Sequence, residues 1–352
     1  MYTEERVTRP EHDPDRSHAG DPRPRHGIQH ILVCLDGSMG PALCIEYAQS
    51  LASTFDSAIT LIHVMQHHDD RFGPHTTDAL GWEISRQEAG ARLNTLKEEA
   101  THASGRRIGV RLEQGKPAER IVALSRELGA DLVILGSHDR SDHPSWELGS
   151  TAQQVLAAAR SSVLIARGST VPPPFVPPKR ILVPLDGSLR TESVLPTAER
   201  IAMAHGARLV LIHVVEEPLP TCVLADPEDL LLARDLATRL ETQATRYLEA
   251  LRRQVGYDES RVDTHVERQT DKRQFLVELS QREGIDLIVL SAHGCTCNVA
   301  RPFGSMTAHL LTHSNVPLLV LQDLQKPELH AHGEPDERSA PPRRGAPAPE
   351  SI

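Results

Sequence analysis

Short apolar runs alternate along the chain with longer stretches in which apolar residues recur at helical spacing. The runs at 31–35, 59–64, 108–113, 132–136 and 163–166 predict five strands. Those at 181–185, 209–215, 262–267, 287–291 and 318–321 predict five more. Continuous runs such as Leu132-Val133-Ile134-Leu135 suit strands covered on both faces, as in a parallel sheet. After the first strand Ile45, Ala48, Leu51 and Ala52 share one helical face, and Leu195, Ala198, Ile201 and Ala202 repeat it. Helical patterns at 82–103 and 227–255 separate the second strands from the third, and those at 117–128 and 272–283 lead into the fourth. Pro117 suits a first helical turn, where its missing N–H costs nothing. A last helix follows Gly149-Ser150 in one half and Gly304-Ser305 in the other. This order predicts an α/β fold: two doubly wound, parallel five-stranded sheets in tandem.

The two halves are copies. Ile31-Leu32-Val33-Cys34-Leu35-Asp36-Gly37-Ser38 returns 150 positions later as Ile181-Leu182-Val183-Pro184-Leu185-Asp186-Gly187-Ser188. Leu61-Ile62-His63-Val64 returns as Leu211-Ile212-His213-Val214. Beyond an insertion the offset is 155, so Asp131 to Leu135 returns as Asp286 to Leu290, and Gly149-Ser150 as Gly304-Ser305. The expected organisation is a disordered tail over 1–28, a first domain over 29–168 and a Pro-rich linker over 169–178. A second domain over 179–323 and a disordered tail over 324–352 follow. Each repeat is long enough to bury its own core.

Composition narrows the function classes. A net charge of −10 without a basic run argues against a nucleic-acid surface, and aromatics at 3% against base stacking. The N-terminus has no apolar core of a signal peptide, and no apolar stretch reaches membrane-span length. With 5 irregularly spaced Cys there is no disulfide framework, and a cytoplasmic setting is expected.

Ligands of doubly wound sheets bind beyond the carboxyl ends of the strands. Asp36 and Asp186 end the first strands there, each followed by Gly-Ser, where the Ser can cap the next helix. Such an Asp can accept from a ribose hydroxyl; alternatively it closes the turn. After the fourth strands stand Gly136-Ser137-His138-Asp139 and Ser291-Ala292-His293-Gly294. After nine intervening residues come Gly149-Ser150-Thr151 and Gly304-Ser305-Met306. A glycine-bounded loop feeding a helix N-terminus presents backbone amides to an anion and suits phosphate.

In these motifs both repeats resemble the universal stress protein family, in a tandem arrangement. The resemblance implies Rossmann-like sheets akin to the adenine-nucleotide hydrolases, and ATP as the cofactor, with or without Mg²⁺. It places the strand-one Asp near the ribose, the residue after the strand-two His near the adenine, and the loop around the phosphates. Carried over, the binding residues are Asp36, Val64, Gly136, Gly149 and Ser150 in repeat one. In repeat two they are Pro184, Leu185, Asp186, Val214, Leu290, Ser291, Gly294, Arg301, Gly304, Ser305 and Met306. It also implies pairing of the two domains through their fifth strands, Val163-Leu164-Ile165 against Val316 to Val320, as a pseudo-dimer within one chain. A homodimer and an unidentified signalling partner stay open.

Neither glycine motif is whole. Asp139 replaces the second Gly in repeat one, whose loop also holds Asp142 and Glu147 against Arg140. Ser291 replaces the first Gly in repeat two, whose loop 292–303 has no acid and one base, Arg301. Charge repulsion therefore favours repeat two as the nucleotide site. Cys295 and Cys297 with His293 fall short of a zinc set, and no metal site is expected. No nucleophile with its base is marked, so no catalytic residue is assigned, although slow ATP hydrolysis stays open. The rival readings are a scaffold with both sites unused and a weak ATP hydrolase.

Overall fold

The computed structural model describes residues 27–36, 41–66, 79–138, 148–158, 160–168, 175–216, 227–296 and 301–322. Residues 1–26 of the first expected tail, the whole of the second, linker residues 169–174 and the repeat-one loop with Asp139, Asp142 and Glu147 lie outside them. The first repeat contains β1 (His30–Leu35), α1 (Pro41–Phe55), β2 (Ala58–Met65), α2 (Ala79–Ser104) and β3 (Ile108–Gln114). It ends with α3 (Pro117–Glu127), β4 (Leu132–His138), α4 (Ser150–Ala158) and β5 (Ser162–Gly168). The second begins with β6 (Arg180–Pro184), α5 (Leu189–Glu192), α6 (Leu195–His205), β7 (Arg208–Glu216) and α7 (Pro227–Gln254). It continues through β8 (Val262–Gln269), α8 (Lys272–Arg282), β9 (Leu287–Ser291), α9 (Ser305–His313) and β10 (Leu318–Leu321).

Within each repeat the strands are parallel, and their alternate side chains enter opposite cores. Ile31, Val33 and Leu35 of β1 face α1 and α2, while Leu32 and Cys34 face α3 and α4. That two-sided burial is why the strands read as unbroken apolar runs. A carboxylate fixes where β1 and β6 begin. Asp131 Oδ2 accepts from the Gln29 and His30 amides at 2.9 and 3.1 Å, and Asp286 Oδ2 from Lys179 and Arg180 at 2.8 and 2.9 Å.

The two five-stranded units join into one ten-stranded sheet, ordered β3-β2-β1-β4-β5-β10-β9-β6-β7-β8. The junction is antiparallel, with Leu318 opposite Ile165, Leu319 opposite Leu164 and Val320 opposite Val163. Two fifth strands that would be open edges thus cover each other. Across the seam the Arg200 guanidinium lies 4.5 Å from the Phe55 ring centroid and donates to the Thr54 carbonyl at 3.0 Å. Beneath it Arg167 is buried, donating to Ser137 Oγ at 3.2 Å and to the Leu311 carbonyl near the end of α9. No carboxylate pairs with Arg167 among the described residues, and burial lowers its pKa to about 10. Its twin is Gln322.

Two elements differ from the sequence expectation. The helix predicted after β6 is broken at Ser193-Val194 into α5 and α6. Pro196 lies in the first turn of α6 and cannot donate, so a new helix starts there. β4 runs two residues past the expected 136, because Ser137 and His138 continue pairing with Arg167 and Gly168. Gly136, expected where the strand gives way to the loop, therefore lies inside a strand. No described helix is long and apolar enough to cross a membrane.

Candidate functional site

The strand order reverses between β6 and β9, and between β1 and β4, so a crevice opens at their carboxyl ends. In repeat two the crevice is built around Asp186. Its Oδ1 accepts from the Ser188 amide at 3.0 Å, Ser188 Oγ at 2.6 Å and Thr191 Oγ1 at 2.8 Å. Its Oδ2 accepts from the Cys295 amide at 2.7 Å. Burial alone raises the pKa of this carboxyl. The bonds from Ser188, Cys295 and Thr191 outweigh it and hold the pKa at about 2. The turn-closing role is thus present at Asp186, with Ser188 capping α5 as its sequence position predicts. The bond to Cys295 adds something a turn does not need: it ties the end of β6 to the start of the loop after β9.

Gly294 makes that contact achievable. A Cβ there would overlap the Asp186 carboxylate. Gly304, at the far end of the loop, packs beneath it: a Cβ would lie 3.5 Å from both the Ala292 carbonyl and His293 Cα. The Gly304 amide donates to that carbonyl at 2.8 Å. His293 is buried, and its Nε2 bonds the Arg301 carbonyl at 2.8 Å, pinning the loop's exit. Thr307 Oγ1 donates to the Ser291 carbonyl at 2.9 Å, fixing α9 against β9. The sequence offers His293 only as part of an incomplete metal set and does not mark Thr307; the return of His138 at His293 is the signal for a structural role of the first.

The N-terminus of α9 opens onto this loop. Gly304 is its N-cap, no side chain caps it, and its first turn carries no acid. Its leading amides and the positive end of its dipole face the crevice, an arrangement that accepts anions. Ser305 and Arg301 are exposed there. Leu185, Leu290 and Ser291 are buried, while Pro184, Val214 and Met306 are half-buried along the wall. Asp186, Gly294 and Gly304 thus come together at one end of the sheet, and Val214 and Met306 pack on the α8 and α9 face.

Repeat one is arranged differently. A Cβ on Gly136 would lie 3.3 Å from Cys44 Sγ, while one on Gly149 would meet none of the described residues within 4 Å. Burial, with Asp36 nearby, pushes the Cys44 thiol up to about 12, so it stays protonated and serves packing. His63 Nδ1 bonds the Leu35 carbonyl at 3.0 Å, a structural role at the strand end. Its twin His213 makes no Nδ1 hydrogen bond of normal geometry; burial lowers its pKa, and the neighbouring Leu185 carbonyl partly offsets that. Val64 lies on the α3 and α4 face, and Ser150 begins α4. Asp139 and Cys297 lie outside the described residues. Among the described residues no three His, Cys, Asp or Glu are grouped to hold a metal.

Comparison with known proteins agrees with this architecture. The sequence model of the Universal stress protein family matches residues 27–167 and again 177–322. A Staphylococcus aureus (strain USA300) protein named for that family is 29% identical over 150 residues, covering 42% of this chain and 90% of its own length. The crystal structure of a universal stress protein from Archaeoglobus fulgidus superposes with a TM-score of 0.60 at 18% identity, over 84% of this chain and 98% of that one. A functionally unknown protein from Pseudomonas aeruginosa PAO1 gives 0.61 at 16% identity, over 87% and 95%. Both structural likenesses speak to the fold.

Proposed function

We propose, from the premise that the chain belongs to the universal stress protein family, that it binds an adenine nucleotide, principally in repeat two. ATP, with Mg²⁺ as companion ion, is the ligand this reading favours. We place the protein in stress-response signalling in the cytoplasm. The observation that carries the reading is the glycine loop: Gly294 lets it lie against Asp186, and Gly304 packs against its start and caps the α9 helix, whose first amides have no side-chain partner. The α9 amides and Ser305 would take the phosphates, with Arg301 supplying the positive charge. Val214 and Leu290 would line the base, and Asp186 would accept from the ribose.

The Asp186 carboxylate already meets four donors, so ribose binding would displace or share the Cys295 amide. That exchange links occupancy to loop position and could bias one loop state over another. In repeat one Asp139 would stand where phosphate lies, and we assign it weaker binding. The scaffold reading draws support from the same satisfied carboxylate, which needs no ligand. A slow hydrolase remains the lesser alternative, with no residue assigned as its catalyst.

The test is calorimetric titration of Mg-ATP into wild type and two double variants, Gly304→Ala with Ser305→Ala and Gly149→Ala with Ser150→Ala. The expected result is about one site per chain, lost in the repeat-two variant and kept in the other. No heat in wild type would replace the nucleotide reading with the scaffold. Loss confined to the repeat-one variant would move the site. Phosphate release from the same samples separates binder from hydrolase.

A further inference from the structure

Repeat one holds a cleft that repeat two fills with its own chain. The cleft measures about 310 Å³, at the small end of ligand pockets. Leu35, Leu93 and Leu96 form its apolar floor, and Asp36, His63, Ser85, Glu88 and Arg92 its polar rim. It opens on the α2 side of the sheet: Leu35 and Leu93 belong to the core under α1 and α2, whereas Cys34 and Val64 pack on the opposite face. The cleft therefore lies across the sheet from the residue expected at the adenine, with Asp36 between the two.

The twin positions show what repeat two carries at the corresponding place. Leu93 and Leu248 are both buried 155 positions apart, and the same offset sets Arg92 against Tyr247. The Tyr247 ring meets His213, the twin of His63, edge-on, with centroids 6.4 Å apart and planes at 77°. Its hydroxyl is buried beside Glu192 and the Gly187 backbone, without a hydrogen bond of normal geometry. A phenol thus sits against the strand-two His, within electrostatic reach of the strand-one Asp, in one repeat. In the other Arg92 is exposed at the rim, and Ala42 stands where Glu192 would be.

We propose that the α2-side cleft of repeat one binds a small aromatic molecule with a hydrogen-bonding edge and a neutral or cationic charge. Tyr247 shows which group complements this arrangement of Asp, His and leucines: a planar ring that packs edge-on and carries a polar tip. Among the described residues the rim supplies two carboxylates, Asp36 and Glu88, and one guanidinium, Arg92, so an amine is favoured over an acid. The site is independent of nucleotide binding in repeat two.

Tyramine is the probe, with 4-hydroxyphenylacetate as its anionic counterpart, followed by methyl NMR of leucine-labelled full-length protein. The expected result is saturable movement of the Leu93 and Leu96 methyls with tyramine, and binding weaker by about tenfold for the anion. Arg92→Tyr should abolish the movement by filling the cleft as Tyr247 fills its twin. The substitution is at the surface, and an unchanged melting temperature shows the fold is kept. Should Arg92→Tyr unfold the chain, Leu96→Trp blocks the same floor and serves in its place. Gly149→Ala with Ser150→Ala should leave tyramine binding intact. No saturable movement in wild type, or movement that survives a folded cleft-filling variant, overturns the proposal. Equal or stronger binding of the anion overturns the ligand class.

Discussion

A methyl group on Gly294 has nowhere to go, because the Asp186 carboxylate occupies that space. Gly294→Ala should push Asp186 off the Cys295 amide, lower stability by about 1 kcal/mol and weaken Mg-ATP binding by about tenfold. Denaturant melts and calorimetry on the same preparation check both. Unchanged affinity would mean the loop binds without Asp186. The carboxylate also sets a pH dependence. Its folded pKa of about 2 lies below the ordinary 3.8, so its contribution is complete above that ordinary value and is lost as pH falls toward 2. Half of the group meets solvent, and screening reduces the effect to about 1 kcal/mol. Urea melts across that acid range should show wild type converging on Asp186→Asn as pH falls, and parallel curves would refute the assignment. The roles of Asp186 and Gly294 as strand-end and loop residues were legible from their motifs. Their contact was not, because 108 positions separate them in the chain.

Among the elements, α9 carries the clearest conflict between stability and binding. Its start has no side-chain cap and no acid in the first turn, which leaves helix amides for a ligand at some cost to the helix. Ser305→Asp should therefore stabilise the protein by about 0.5 kcal/mol through the helix dipole while weakening nucleotide binding. Thermal melts with and without Mg-ATP separate the two: the variant should melt higher alone and gain less from ligand. A gain in both would remove α9 from the site. The elements themselves were readable, since two-sided burial writes apolar runs and helix faces write their own period. The break between α5 and α6 is marked in the sequence by Pro196 alone, which starts the second helix. The extension of β4 had no local signal, because Ser137 and His138 are held by pairing with β5 rather than by their own preference.

At the scale of the whole molecule, the seam turns two domains into one sheet. Leu164 and Leu319 face each other across it, both fully buried. Leu164→Ala should cost about 2–5 kcal/mol, the range for a buried leucine cavity. Because the lost contact is shared, the cost should appear in the unfolding of both repeats, followed by tryptophan fluorescence of repeat one and hydrogen exchange of repeat two. Destabilisation of repeat one alone would mean the halves unfold independently.

The duplicated pattern of apolar runs determined the fold of each repeat, because burial on both faces leaves its mark at every strand position. It also located the glycine loops, whose shape depends on residues adjacent in the chain. Only the tertiary structure decided what lies between distant segments. It set Cys295 against Asp186, brought the Arg167 guanidinium from β5 to the end of α9, and placed Tyr247 where repeat one keeps a cleft. Such contacts depend on how elements are brought together in space, and no local period in the sequence encodes that distance.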